Sequence, residues 1–295
     1  YRKNPFHNFS HASHVVQSTS KLMSRIVTAN HVDYTGMSYK DEQPNTLAMH
    51  RFTYGITSDP VTQFACILAA LIHDVDHSGV PNVQLAKEQS HLADLYRGKS
   101  VAEQHSLDLA WDLLMEPQYE DFRACIYSNQ EELNRFRQLL VNAVMATDII
   151  DKELNNLRKA RWEKAFSNSD HDAAASAAGD QGEGSDPAAN NGNGDAGTDV
   201  ESANRMATIV IEHLIQASDV AHTMQHWHVY RKWNERYFKE CYAAYKDGRA
   251  PSDPIETWYK GEIGFFDFYI IPLAKKLKEC GVFGKSSDEY LNYAL

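Results

Sequence analysis

The sequence predicts an all-α fold, a compact multi-helix domain, from three observations. Apolar residues recur at three- and four-residue spacing along most of the chain. Alternating β-type runs bounded by hairpin turns are scarce. Pro and side-chain caps stand where the periodic stretches begin. At 295 residues, 43% hydrophobic and 23% charged, the chain is long enough to bury a sizeable core.

The elements follow in order. "HASHVVQSTSKLMSRIV" puts His14, Ser18, Leu22 and Ile26 on one stripe, with Val15 and Met23 near it. In "DPVTQFACILAALIHD", Asp59 reads as an N-cap and Pro60 as the first helical residue. "SVAEQHSLDLAWDLLM" opens with what reads as a capping box, Ser100 followed by Glu103. "NRFRQLLVNAVMATDIIDKELNNLRKARWEKAF" carries Leu139, Leu140, Ala143, Val144 and Thr147 at helical spacing, and "NRMATIVIEHLIQASDVAH" repeats the style. Between these two, about 167–204, lies a segment of Ala, Gly, Asn, Asp and Ser with almost no large apolar side chain. It cannot bury enough surface to offset its ordering entropy, so it is expected to be a disordered insertion in a single domain spanning 1–295, acting as a spacer.

Several function classes are excluded at this stage. The net charge of −11 is concentrated in that insertion, whose eight acids (Asp170 to Glu201) meet no Lys or Arg; without them the charge falls to −3. No nucleic-acid partner is expected. The longest apolar run, the nine residues Phe64–Ile72, is about half a bilayer span, so no membrane contact is expected from this segment. Four scattered cysteines without a CxxC pair read as reduced residues of a cytoplasmic domain. The chain opens at Tyr1 with neither Met nor a signal pattern. It is expected to be a piece of a longer parent, with regulatory domains or a membrane anchor elsewhere.

The chemistry gathers in three stretches. "PFHNFSHASH" spaces His7 and His11 one helical turn apart; "HDVDH" supplies His73, Asp74, Asp76 and His77; "QASDVAH" supplies Asp219 and His222. Imidazole and carboxylate together suit zinc, manganese or iron. A divalent ion would also compensate charges placed directly after the apolar run "FACILAALI". Isolated histidines such as His14, His31, His91 and His171 read as ordinary core or surface residues.

Taken together, "FHNFSHASHV", "LAALIHDVDHSG", "SVAEQH", "MATDI", "ASDVAH" and "GEIGFFDFYIIPL" resemble the successive motifs of class I cyclic-nucleotide phosphodiesterase catalytic domains. The resemblance runs from Tyr1 to about Ala274; the His-Asp pair alone also occurs in the wider HD phosphohydrolase superfamily. It implies that His11, His73, Asp74 and Asp219 hold a tight Zn²⁺, and that Asp74 bridges to a second Mg²⁺ or Mn²⁺ completed by water. It implies that His77, Glu103, Thr147 and Asp148 orient waters, and that His7 protonates the leaving O3′, with Glu103 as its carboxylate partner. The implied reaction is hydrolysis of a cyclic 3′,5′-nucleotide (cAMP and/or cGMP) to the 5′-monophosphate, by a hydroxide that two metals generate.

The base pocket departs from the pattern. Glu262 stands where the family has a purine-reading glutamine, with Phe265 as the stacking aromatic, and Tyr237 and His222 as further pocket residues. An ionised carboxylate only accepts hydrogen bonds, whereas a protonated one would imitate glutamine; both remain open. Phe6 replaces a tyrosine, and Ser106 follows His105 where a second histidine is usual. The competing functions are another HD-type nucleotide phosphohydrolase and a non-catalytic cyclic-nucleotide-binding module.

Overall fold

The computed structural model describes residues 1–26, 53–166, 195–283 and 288–295, with the side chains of 195–203 left aside. Among the described residues the chain is helical and has no strand. The part of the expected insertion between 167 and 194 lies outside them, as does the stretch 27–52.

The first helix, α1 (Phe9–Ser24), starts because Asn8 accepts from the Ser10 and His11 amides, and it buries His11, Ala12, Val15, Ser18, Thr19 and Leu22. Helix α2 (Pro60–Ile72) begins as expected: Asp59 accepts from the Val61 amide and Pro60 takes the first position. Its inward face is small, with Ala65, Ala69 and Ala70 wholly buried, so the α1 and α2 backbones can approach closely. Two short helices follow, α3 (Asn82–Glu88) and α4 (Ser90–Leu95), then α5 (Val101–Met115), α6 (Glu120–Ala124) and α7 (Gln130–Met145).

Helix α2 is sandwiched between α1 and α7. Its start is tied to α7 by Arg135, whose guanidinium reaches Asp59. The capping box at Ser100 does not form. Ser100 adopts a left-handed conformation (φ 41°) and its hydroxyl donates instead to Asp148 at 2.6 Å, while Asn82 Oδ1 takes the Ala102 amide at 2.8 Å. A better acceptor elsewhere in the fold captured the serine.

The stretch "VMATDIIDK" also departs from one continuous helical pattern: α7 ends at Met145 and α8 spans Lys152–Phe166. Asp148 Oδ1 accepts from the Ile150 and Asp151 amides, a local alternative to helix hydrogen bonding. Arg158 then seals the break by donating to the carbonyls of Met145 (2.7 Å) and Asp148 (3.0 Å).

Helix α9 (Asp195–Asp219) begins nine residues before the expected end of the insertion. Extending an established helix fixes one residue per added hydrogen bond, so a helix anchored downstream propagates into weakly apolar sequence. The last elements are α10 (Trp227–Lys246), α11 (Pro254–Phe265), α12 (Ile271–Glu279) and α13 (Glu289–Ala294). A π-helical turn, Phe266–Ile270, joins α11 to α12. Pro272 lacks the amide that would continue regular bonding there, which accounts for the irregular turn.

The main core joins α1, α2, α7, α9 and α12 through Val15, Leu22, Phe136, Leu140, Leu214 and Ile215, each at most 1% exposed. A smaller cluster of Val80, Leu85, Leu92, Tyr96, Val101, Ala102 and Ala244 braces α3–α5 against α10. No helix among the described residues is long and apolar enough to cross a membrane. All four cysteines are free.

Candidate functional site

The C-termini of two core helices converge. His73 is the C-cap of α2, and Asp219 is the last residue of α9. A helix C-terminus carries partial negative charge, which disfavours a carboxylate and favours a cation. Asp74 and Asp219 nevertheless sit at these ends, each facing imidazole.

His11 arrives from the first turn of α1, and its Nε2 lies 3.0 Å from Asp219 Oδ1 and 3.6 Å from Asp74 Oδ2. His73 Nε2 lies 3.1 Å from Asp74 Oδ2 and 3.3 Å from Asp219 Oδ1. The ligand-type atoms of His11, His73 and Asp74 all fall within 4.8 Å of one another, and so do those of His7, Asp74 and His77. The four residues expected to hold a tight ion are therefore together, and Asp74 belongs to both groupings.

Electrostatics makes the cluster demand positive charge. Burial raises the Asp74 carboxyl, but His73 and His7 more than offset this and hold it well below the usual carboxylate range. Asp219 is likewise lowered against burial, by the His11 and His73 imidazoles lying 3.0 and 3.3 Å away. His73 is driven well above the ordinary imidazole value: its burial is outweighed by Asp74 and Asp219. Such a pair of half-buried carboxylates in close contact is favoured beside imidazolium or a bound cation.

His7 caps the mouth of this cluster. Its Nδ1 meets Glu240 Oε1, and Glu240 Oε2 also accepts the amides of Phe6 (2.8 Å) and His7 (3.0 Å). Burial lowers the His7 value, yet Asp74 and Glu240 raise it overall, which favours the protonated ring. His77 stacks on His7 with ring centroids 3.9 Å apart and accepts from the Gly79 amide at 3.1 Å. Burial and the neighbouring His7 charge push His77 down to about 3, so this ring is neutral. Gly79 has φ +76°, a left-handed conformation that calls for glycine; a Cβ there would make only ordinary contact with Glu240 Cγ, at 3.5 Å.

The expected pairing of His7 with Glu103 is corrected: the partner is Glu240. Glu103 instead accepts from Asn82 Nδ2 at 2.9 Å, and burial with the nearby Asp148 charge pushes it up to about 7. Sequence reasoning missed Glu240, although an acid in line with buried Trp233 and Ala244 on α10 was a readable signal. Asp76, left without a role by the sequence, adopts φ 62° and takes Arg2 through two bonds (2.7 and 2.9 Å) and His105 at 3.0 Å. Arg2, with His105, lowers Asp76 to about 2 although burial opposes it. Ser106 donates to the Val75 carbonyl at 2.7 Å, supporting the same turn.

The remaining expected residues are placed less uniformly. Asp148 lies beside Glu103 through Asn82, but its oxygens are taken by Ser100 and by two amides of its own loop. The Thr147 hydroxyl donates to the Val144 carbonyl at 2.7 Å. His222 is buried behind His11, its ring contacts being Phe6, His11, His14 and Trp233 rather than the pocket aromatics. Burial, followed by the charges of His11 and His14, pushes it down to about 3.

Tyr237 packs on Phe6 at 5.2 Å and on Trp258 at 5.5 Å, and lies 6.2 Å from the His7 ring. Phe265 stacks on Tyr269 at 5.4 Å. Glu262, one turn before Phe265, accepts from the Tyr230 hydroxyl and Asn234 Nδ2. Burial raises its carboxyl from the usual value, opposed by those two hydrogen bonds.

Comparison with known proteins gives a consistent setting. The family model for 3′5′-cyclic nucleotide phosphodiesterase matches residues 6–290. A Caenorhabditis elegans protein named probable 3′,5′-cyclic-AMP phosphodiesterase pde-4 is 26% identical over 282 residues, 92% of this chain and 34% of the relative. A mouse protein named dual specificity calcium/calmodulin-dependent 3′,5′-cyclic nucleotide phosphodiesterase 1C is 30% identical over 147 residues, 50% of this chain and 17% of that relative. The chain thus spans about a third or less of the length of these curated relatives. The crystal structure of the phosphodiesterase domain of Salpingoeca rosetta rhodopsin phosphodiesterase superposes with a TM-score of 0.66 at 22% identity, covering 100% of this chain and 73% of that one.

Proposed function

This chain belongs to the 3′5′-cyclic nucleotide phosphodiesterase family, and from that premise we propose that it hydrolyses a cyclic 3′,5′-nucleotide to the 5′-monophosphate. The observation that carries the reading is the placement of His7, paired with Glu240, beside a four-residue His/Asp cluster.

The residues fit a metal site on their own evidence. His73 Nε2 and Asp74 Oδ2 are buried with no hydrogen-bond partner, and both point into the cluster. Two imidazole nitrogens and two carboxylates make a donor set that matches zinc-type ligation. His11, His73, Asp74 and Asp219 would hold a tight Zn²⁺, and Asp74 would be shared with a Mg²⁺ or Mn²⁺. Bound there, the cations supply Lewis acidity to the phosphate oxygens and acidify water.

The chain's own residues do the rest. Glu240 fixes the His7 ring through Nδ1, which leaves Nε2 as the atom that faces the reacting group. His7 donates its Nε2 proton to O3′ as the P–O3′ bond breaks, and returns to imidazolium by taking a proton from solvent. His77, neutral beside it, offers a ring nitrogen to hydrogen-bond water. Phe265 and Tyr237 border the base, with Glu262 at its edge. Regulatory domains of a longer parent chain, and a cytoplasmic setting, belong to the same proposal.

The test is product identification by the purified chain with Zn²⁺ and Mg²⁺, given cAMP, cGMP and a 2′,3′-cyclic control. The expected result is 5′-monophosphate from a 3′,5′ substrate and none from the control. Hydrolysis of neither 3′,5′ nucleotide removes the reading.

A further inference from the structure

Asp76 is the ionisable residue of "HDVDH" that belongs to neither grouping of ligand-type atoms. It stands between Asp74 and His77 with φ 62°, a left-handed conformation that side chains adopt at a cost. If the chain needed only that reversal, glycine would supply it with less strain. The Asp76 side chain instead closes a clamp. Its Oδ1 accepts from Arg2 Nε at 2.7 Å, and its Oδ2 meets Arg2 Nη2 at 2.9 Å and His105 Nε2 at 3.0 Å. Both oxygens are engaged, by the segment before α1 and by α5.

The surrounding turn is held from outside in the same way. The carbonyls of Leu71, Val75, His77 and Ser78 accept from Tyr1, Ser106, Asn4 and Arg249. His73 does not depend on this grip. Its amide bonds the Ala69 carbonyl at 2.9 Å and its Nδ1 the Ala70 carbonyl at 3.0 Å, both within α2. His11 and Asp219 belong to other helices. Asp74 and His77 lie beyond the helix on either side of Asp76, so their placement follows the turn. The Arg2 and Asp76 side chains are 44% and 34% exposed, and an ion pair that open to water adds little to stability. Its worth is geometric, because two parallel bonds from a guanidinium fix direction as well as distance.

We propose that Asp76, gripped by Arg2 and His105, is the residue that positions Asp74 and His77 for the second cation. The inference rests on the metal reading above. A hard ion completed by water takes few protein ligands, so the placement of one carboxylate weighs heavily on its affinity. With the clamp released, His11, His73 and Asp219 still converge on the tight ion, while the site that relies on Asp74 and His77 loosens.

The experiment follows Mn²⁺ binding to the Zn²⁺-loaded chain by electron paramagnetic resonance of the free ion, with no nucleotide present. Asp76→Gly removes the carboxylate and relieves the backbone. It is expected to keep its unfolding midpoint and its tightly held Zn²⁺, and to bind Mn²⁺ roughly tenfold more weakly or worse, the usual effect of losing a partner behind a metal ligand. Arg2→Ala, which leaves the turn's own residues in place, should do the same. Arg2→Lys keeps the charge without the two-pronged contact and should recover only part of the loss. The Mn²⁺ concentration for half-maximal cyclic-nucleotide hydrolysis should rise by the same factor. Unchanged Mn²⁺ affinity in Asp76→Gly or in Arg2→Ala overturns the proposal. Loss of the tight Zn²⁺ along with Mn²⁺ also overturns it, since the clamp would then serve the cluster as a whole. Arg2→Ala alone decides if Asp76→Gly does not fold. Binding is read without turnover, so failure of the hydrolysis reading and failure of the positioning role are separate results.

Discussion

Two carboxylates, Asp74 and Glu240, face the His7 ring, and their charge outweighs the burial that would otherwise strip its proton. That balance makes a residue-level prediction. His7→Ala should lower kcat by about 100-fold or more, the usual worth of a positioned general acid, with bound metal unchanged by elemental analysis. Glu240→Gln keeps an acceptor for the Phe6 and His7 amides but removes the charge, and should lower kcat by roughly tenfold to 100-fold. Glu103→Gln should leave the pH at which His7 loses its proton in place, since Glu103 bonds Asn82 and not His7; a shift of that pH with Glu103→Gln and none with Glu240→Gln would restore the sequence-based pairing. Sequence located His7 and the four cluster residues because each sits in a short, ligand-dense stretch. The α10 pattern marked Glu240 as an inward-facing acid but could not pair it with His7, because that link spans 233 residues.

Among the elements, α2 carries the site, and its geometry is set at both ends. Asp59 caps the start and pairs with Arg135 of α7, while the C-terminus delivers His73 and Asp74 to the cluster. Burial raises the Asp59 carboxyl, but its bonds to Arg135 and Thr62 lower it on balance. A depressed carboxyl stabilises the fold above its unfolded value of 3.8 and loses that contribution as pH falls through the lower folded value. Asp59→Ala should cost about 1 kcal/mol at neutral pH, the typical worth of an N-cap, measured by urea unfolding. The deficit relative to the unmodified chain should shrink as pH falls below 3.8; a deficit constant across that range would show that the charge plays no part. This helix was legible from Asp-Pro followed by an apolar run. The Ser100 cap was misread because the signal is local, and Asp148, 48 residues away, supplied the stronger partner.

Across the whole molecule, a core of α1, α2, α7, α9 and α12 holds three distant chain segments at one point, so stability and site assembly are coupled. Phe136 is fully buried in that core, against Phe64, Trp111 and Tyr127. Phe136→Ala should cost about 3–5 kcal/mol, seen as a lowered unfolding midpoint, and an unchanged midpoint would contradict this picture of the core. The all-α class was readable from periodicity alone, since 3.6-residue spacing pervades the chain. The break at Asp148 was not, because Arg158, which seals it, looks like any surface arginine in sequence. The central claim is that His11, His73, Asp74 and Asp219 hold a metal on which hydrolysis depends. Elemental analysis of the purified chain after dialysis against metal-free buffer tests it most directly, alongside His73→Ala judged folded by its helical circular dichroism. About one tightly held ion per chain is expected, lost together with cyclic-nucleotide hydrolysis in the variant. A metal-free chain that still hydrolyses cyclic nucleotide in excess chelator would contradict it.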